Sequence, residues 1–432
     1  MIRYPARPTQ GPSPKAPHLM AIPPPGPNGA QLSRVKKDFQ RVDIVEFLAG
    51  LTKEYGDVVR FNFGSLPCIL VNGAPLVRKL FSEREACLRK PEFVKDSNRG
   101  HWGDGLTTLE GTAWQARRRI LLPSFRAMCV APRLAVVAQC TEDMLDAWTP
   151  KSQTDLLKEL RILTARIAAR MVLNAELEGH GPSAGRSGVL PFSEAYGEDY
   201  VSTLRDKSMA PLFMVRPRAS RRMDVTVGII DERLASGEQN GDVLSGLILH
   251  GATLTRNQIL GEVIQMLYAG HLTIPYSLVS LWREIAANGL ASKITSEANH
   301  LCTGAVPDMA ALSTSYCFAA LKESMRLHPP APILYREVES IFELNGFEFA
   351  PNAAVWVSPH LLHTDGRYFP EPDRFLPERF MMGSCAAAAQ SPYLPFGAGR
   401  RTCIANHLAL HQMTLITLLT ARRFQFTAMR DA

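Results

Sequence analysis

The chain carries no two cysteines in a C-x-x-C spacing, although Cys68, Cys87, Cys129, Cys140, Cys302, Cys317, Cys385 and Cys403 are spread over its 432 residues. That scatter excludes a zinc ribbon, an iron–sulfur cluster and a disulfide framework. Most of these thiols lie among apolar neighbours and read as small core residues in a reducing compartment. No run approaches the roughly 18 consecutive apolar residues of a membrane span. The opening stretch MIRYPARPTQGPSPKAPHLMAIPPPGP lacks the apolar centre of a secretory signal, and its prolines block a helix. It reads as an extended lead over residues 1–30 that runs along the surface, ahead of a single domain over 31–432. The formal net charge is +7, yet no basic stripe with interleaved aromatics collects it, which argues against nucleic acid as a partner. There is no internal repeat and no linker. These absences predict a soluble, cytoplasmic, monomeric globular protein.

What is present is a core-forming composition, 46% hydrophobic and 21% charged. A helical mixture runs from Leu32 to about Tyr55. Short β-prone runs follow at Val58–Phe63 and Cys68–Val71, joined by a turn at Gly64–Pro67. Helical patterns then dominate from about Pro75 to Leu327. Strand character returns near Ala354–Val357, and a last long helix is expected from about Ile404 to Ala421. The fold class is therefore mainly α with small β-sheets.

The segment Leu394-Pro-Phe-Gly-Ala-Gly-Arg-Arg-Thr-Cys-Ile-Ala405 presents one thiol from a glycine-punctuated loop and then enters an apolar helix. Gly397 and Gly399 permit tight turns and the close approach of a flat ligand. Amides around Cys403 and the following helix N-terminus are expected to favour thiolate over thiol. The order Phe396, Gly399, Arg401, Cys403 resembles the cysteine pocket of the cytochrome P-450 family, a long and specific signature. The resemblance implies a triangular prism fold with haem b between a long central helix and this loop. It also implies Cys403 as the metal ligand, with Pro395, Phe396, Gly397, Arg401, Ile404 and Ala405 around the cofactor. A thiolate on haem iron donates electron density that helps to cleave the O–O bond. Ala405 stands where the family usually has Gly, and Gln412 where a glutamate is common.

Glu323 and Arg326, three apart before Pro329 and Pro330, share a helical face. A lone Glu-x-x-Arg is a weak signal. Within this resemblance it corresponds to the family's E-x-x-R motif, with Arg379 as third partner in a buried network that holds the cysteine loop. Trp114 and Arg118, four apart, resemble the family's W-x-x-x-R pair. Arg336 resembles its strand-borne arginine, and both arginines would meet haem propionates together with Arg401. Arg117, Arg119, Lys322 and Arg400 are expected to form a basic proximal patch. Through it a ferredoxin or flavodoxin-type donor would deliver electrons from NAD(P)H, since no reductase is fused to the chain.

A helix of ~30 residues, ~45 Å long, is expected from about Gln258 to Ala287. Its middle, Leu267-Tyr-Ala-Gly-His-Leu-Thr-Ile-Pro275, resembles the family's A-G-x-[D/E]-T-[T/S] segment. Ala269 and Gly270 would let the helix lie close over haem, Thr273 would sit at the oxygen site, and Pro275 should kink the helix. Leu272 replaces the usual acid. Proton delivery then falls to Thr273 with water, or to His271 as the nearest other candidate. Substrate contacts are expected near His101–Leu109, near Tyr196–Arg222 and after Pro332. The expected activity is insertion of one oxygen atom from O2 into a hydrophobic small molecule, in secondary metabolism. A haem-thiolate isomerase, dehydratase or peroxygenase, which needs no acid at position 272, stays open, as does a non-catalytic haem-binding sensor.

Overall fold

β-branched and aromatic runs near the N-terminus pair with a strand from far along the chain, and that pairing organises the smaller, β-rich part of the molecule. The computed structural model describes residues 22–27, 44–63, 66–92, 94–96, 99, 103–149, 154–176, 222–250, 253–304, 306–381 and 392–427. Helix α1 (Ile44–Tyr55) leads into β1 (Val58–Phe63) and β2 (Leu66–Val71), which pair antiparallel with Val58 opposite Val71. The remaining strands are β3 (Leu88–Arg89), β4 (Leu334–Val338) and β7 (Ala354–Val357), with the hairpin β5 (Phe342–Leu344) and β6 (Phe347–Phe349) alongside. The main sheet has the order β1-β2-β7-β4-β3, with β2 and β7 parallel and the other pairs antiparallel. All of Ala-Val-Trp-Val in β7 is buried, as a central strand covered on both faces requires.

The helices are α2 (Ala74–Glu83), α3 (Gly111–Leu121), α4 (Ala127–Ala147), α5 (Leu156–Leu173), α6 (Arg222–Ser236) and α7 (Val243–His250). They continue with α8 (Arg256–Leu272), α9 (Ile274–Ala287), α10 (Ala291–Leu301), α11 (Met309–Thr314), α12 (Tyr316–Leu327), α13 (Pro359–His363) and α14 (Asn406–Arg423). Their ends follow local chemistry. Thr255 and Gln258 form a reciprocal capping box on α8, Asp155 caps α5, and Ser315 accepts from the Phe318 amide to start α12. α12 stops ahead of Pro329 and Pro330. One apolar cluster joins α4, α5, α9, α10, α12 and α14. Within it α14 buries Thr414, Thr417 and Thr420, whose hydroxyls donate to the carbonyls of Leu410, Met413 and Ile416. This back-bonding lets polar side chains occupy an apolar core.

Several expectations need adjustment. The central helix is two segments, α8 and α9, that break at Thr273, because Pro275 in the first turn of α9 has no amide to continue the ladder. The second strand begins at Leu66 rather than Cys68. Part of the N-terminal lead is tied into the fold. Ile22 exchanges backbone hydrogen bonds with the β5–β6 hairpin, and the Arg60 amide donates to the Pro25 carbonyl at 2.8 Å. Gly26 is required there, since an added Cβ would lie 2.0 Å from the Arg60 oxygen. The rest of the lead, the helix expected over 32–43 and most of the Tyr196–Arg222 stretch lie outside the described residues. Cys68, Cys140, Cys302 and Cys317 are buried thiols as expected, Cys87 and Cys129 are half-buried, and Cys385 lies outside the described residues.

Candidate functional site

Glycine dihedrals shape the cysteine loop. Gly397 (φ 77°) and Gly399 (φ 70°) are left-handed, and the Cys403 amide donates to the Phe396 carbonyl at 3.0 Å, closing the loop on itself. Pro395 is buried beneath it, and Phe396 packs on the helical core. Ile404 joins the cluster of Leu121 in α3 and Val263 and Leu267 in α8, so loop and central helix meet through one apolar contact region. Ala405 and Cys403 precede α14 directly. The Cys403 thiol is open to solvent, yet protein surrounds it closely enough that burial is the largest influence on its pKa. Burial raises that pKa; the Ala405 amide and the charge of Arg118 oppose it without prevailing. The Ala405 amide thus acts in the direction expected of the amides around Cys403, towards the thiolate, while desolvation of the anion acts against it and is the larger influence.

Behind the loop, Glu323 and Arg326 are fully buried and paired at 2.8 Å. Arg326 uses every N–H it has: two on Glu323, the others on the carbonyls of His363, Pro372 and Arg374. Glu323 also accepts from the Leu376 amide at 2.9 Å and from Arg379 at 3.3 Å. The connection to the loop is a histidine. His363 receives the Leu394 amide on Nε2 at 2.7 Å and meets the Arg326 carbonyl through Nδ1 at 3.2 Å. Burial pushes the His363 pKa down to about 3, so the ring is neutral and accepts from the loop. Neither His363 nor Tyr393, whose hydroxyl donates to the Lys322 carbonyl, carried a sequence signal.

In front of the thiol, cations converge. Arg118 in α3 donates to the Thr402 carbonyl at 3.0 Å and lies 5.6 Å from the centre of the Trp114 ring, with Arg401 at 4.3 Å from the same ring. Arg336 in β4 lies over Phe81, and burial followed by the charge of Arg401 pushes its pKa down to about 10. Lys90, which sequence reading missed, is pushed down to about 7 by burial, then by Arg401 and Arg336. Its Nζ donates to the Thr107 carbonyl at 2.5 Å. Arg401 pairs with Glu110 and donates to the Leu109 carbonyl at 2.9 Å. Lys90 and Glu110 belong to no local motif; only the folded chain brings them here.

Along α8, Ala269 and Thr273 are exposed in a helix that is otherwise largely buried. They are four apart and so line one open face. Thr273 Oγ1 lies 3.4 Å from the Ala269 carbonyl. Two neighbours depart from expectation. Gly270 faces α5, where an added Cβ would lie 3.0 Å from that of Ala168, so its small size serves helix packing rather than the open face. His271 is buried on the far side of the helix, with Nδ1 at 2.7 Å from the Leu267 carbonyl, and burial pushes its pKa down to about 4. A neutral ring pointing away from Thr273 is not placed to carry protons to it. Arg117 is corrected too: it is buried and paired with Glu262 at 2.6 Å, not part of a surface patch. Lys322 is half-buried with its ammonium 4.6 Å from the Phe380 ring. Of the four expected patch residues only Arg119 and Arg400 are exposed.

The haem implied by the resemblance can be tested against these side chains. Lys90, Arg118, Arg336 and Arg401 are all held below their ordinary pKa by burial, and Lys90, Arg336 and Arg401 also repel one another, with Glu110 as the acid in direct contact. Such a cluster calls for further anions. A flat dianion with a metal at its centre, carboxylates on these cations and the metal over Cys403, fits the donor set. Among the described residues no group of three or more His, Cys, Asp or Glu could hold a separate metal ion. No single described helix is long and apolar enough to cross a membrane; one bent pair, Gly111–Phe125 with Cys129–Ala147, meets the length and composition together.

Comparison with known proteins follows the same line. The family profile described as Cytochrome P450 matches residues 23–184 and 199–432. The chain is 28% identical to cyclooctatin synthase of Streptomyces melanosporofaciens over 88% of its own length and 85% of that protein. It is 27% identical to cyclooctat-9-en-7-ol 5-monooxygenase of the same organism, over 88% of this chain and 84% of the relative. It is also 26% identical to bifunctional cytochrome P450/NADPH–P450 reductase 2 of Bacillus subtilis (strain 168), over 89% of this chain and 38% of that longer protein.

Proposed function

The chain belongs to the cytochrome P450 family, and from that premise we propose that it inserts one oxygen atom of O2 into a C–H or C=C group of a hydrophobic small molecule, with Cys403 as the sulfur ligand of the iron. It is a monooxygenase that carries thiolate-ligated haem b and draws NAD(P)H-derived electrons from redox partners. When bound, haem supplies the activation of dioxygen.

The protein's own residues divide the remaining work. Arg118, Arg336 and Arg401 hold the carboxylates, with Trp114 stacked against the first and last. Ala269 leaves room on the open face of the central helix, and Thr273 holds a proton at Oγ1 on that face. Pro395, Phe396, Gly397, Ile404 and Ala405 form the bed of the ligand, and Glu323, Arg326 and Arg379 fix that bed through His363. The match over residues 23–184 and 199–432 supports reading 31–432 as one catalytic domain. A relative named for acting on cyclooctat-9-en-7-ol supports a hydroxylated alkene or similar apolar substrate of secondary metabolism. The exposed Arg119 and Arg400 support docking of a ferredoxin or flavodoxin-type donor. The free thiols fit a cytoplasmic home, and we read the chain as a monomer.

The observation that carries this reading is the exposed Cys403 at the end of its glycine-shaped loop, with the charge of Arg118 acting on the thiol and Arg401 beside Arg118 on the Trp114 ring. The reduced, carbon monoxide-treated protein should give the displaced absorption band of thiolate ligation, and Cys403→Ala should lose it. An unchanged band in that variant refutes the assignment. One residue favours a second reading. Leu272 is half-buried where the family's acid stands, which suits a peroxygenase, isomerase or dehydratase. Turnover without an electron donor, with hydrogen peroxide or alone, would select it over the first.

A further inference from the structure

Residues 103–110 form a short connection ahead of α3 in which Gly105 and Thr108 are buried, Leu106 and Leu109 are half-buried, and Leu106 packs on the apolar cluster that includes Val263 and Leu267 of α8. This segment lies directly on α8. An added Cβ at Gly261 would be 2.0 Å from the Asp104 oxygen, and one at Gly105 would be 2.7 Å from the Gln265 amide. Polar side chains of α8 hold it there. Glu262 accepts from the Leu106 amide at 3.1 Å, and Gln265 Oε1 accepts from both the amide and the hydroxyl of Thr107 at 2.9 Å. Gln265 Nε2 returns a bond to the Gly103 carbonyl at 2.9 Å. Glu262 is itself steadied by Arg117, from α3, in a pair almost wholly removed from solvent.

The opposite end of the segment meets the cation cluster. Lys90 donates to the Thr107 carbonyl, Arg401 to the Leu109 carbonyl, and Glu110 pairs with Arg401. The segment thus ties the central helix to the carboxylate-binding side. A buried ion pair is a weak source of stability, often equalled by an apolar pair of similar volume. Its use here fixes position instead. We propose that Arg117, Glu262 and Gln265 are positioning residues that clamp 103–110 to α8 as a rigid wall of the ligand cleft, so that the clamp controls how ligands reach the iron. This rests on the haem reading above. Gln265 is central because its amide serves the segment with both donor and acceptor.

The test uses the full-length, haem-loaded protein with imidazole as the probe that binds ferric iron. Two variants open the clamp: Gln265→Met, and Arg117→Met combined with Glu262→Met, which leaves no unpaired buried charge. Thr417→Val, which removes the buried Trp282–Thr417 hydrogen bond far along the chain, serves as the stability control. In both clamp variants, hydrogen exchange of the 103–110 amides and the imidazole association rate should rise about tenfold, the equivalent of ~1.4 kcal/mol lost from the closed state. Haem content should stay unchanged. Equal acceleration in Thr417→Val, or no acceleration in either clamp variant, overturns the proposal. Wild-type protein unable to take up haem would instead sink the reading of the cofactor, and exchange in 103–110 alone would then decide the clamp.

Discussion

Two charged clusters flank the cysteine loop, and they are built on opposite terms. Around Glu323 and Arg326 the two fully buried charges are paired and every N–H of Arg326 has its acceptor, with carbonyls of the 363–374 stretch completing the set. Around Lys90, Arg336 and Arg401 positive charge is in surplus, and each group is held below its ordinary pKa. A balanced buried network is scaffolding. An unbalanced one is a binding site, stable in its own right only to the extent that the fold forces it.

The contrast is broken most severely at the balanced cluster. Glu323→Ala leaves Arg326 buried without its acid and should cost roughly 3–5 kcal/mol. Urea melts should show that loss, and the purified variant should contain no haem; normal haem content would refute the supporting role. At the unbalanced cluster the sign should differ between two assays. Arg336→Met relieves repulsion, so the haem-free protein should melt no lower than wild type, while haem affinity falls about tenfold, the worth of one charge-assisted bond. A parallel loss in both assays would make Arg336 a structural residue. A test by pH concerns Lys90. Its pKa is lowered from 10.5 to about 7, so above pH 7 the unfolded chain binds a proton that the folded chain does not. Stability of the haem-free protein should therefore rise with pH from about 7 towards 10, by at most ~1.4 kcal/mol per pH unit from this group. Lys90→Met should flatten the rise, and an unaltered profile would assign it elsewhere.

Local order carried much of this into the sequence. The loop ending at Cys403 is contiguous, so its glycines, arginine and thiol could be read together, and Glu323 with Arg326 or Trp114 with Arg118 needed only one helical turn. Arg117 shows the limit. Three consecutive arginines sweep about 200° of a helix, and Arg117, three positions from Trp114, shares the buried side with it. His271 was legible on the same principle, since two residues along a helix place it some 200° from Thr273. Gly270 was not, because its reason is a neighbour, Ala168, on another helix. Lys90, Glu110, Glu262 and Gln265 likewise gain their meaning from partners brought close only by tertiary structure, and no spacing announces them.

The parallel pairing of β2 with β7 stitches the first quarter of the chain to its last. Arg336 in β4 and Lys90, next to β3, are likewise brought together by a non-local pairing, the direct one of β3 with β4. Non-local pairings of this kind form slowly. A site assembled in this way has no short segment that could hold the cofactor alone; its cations converge only where distant stretches have already zipped together.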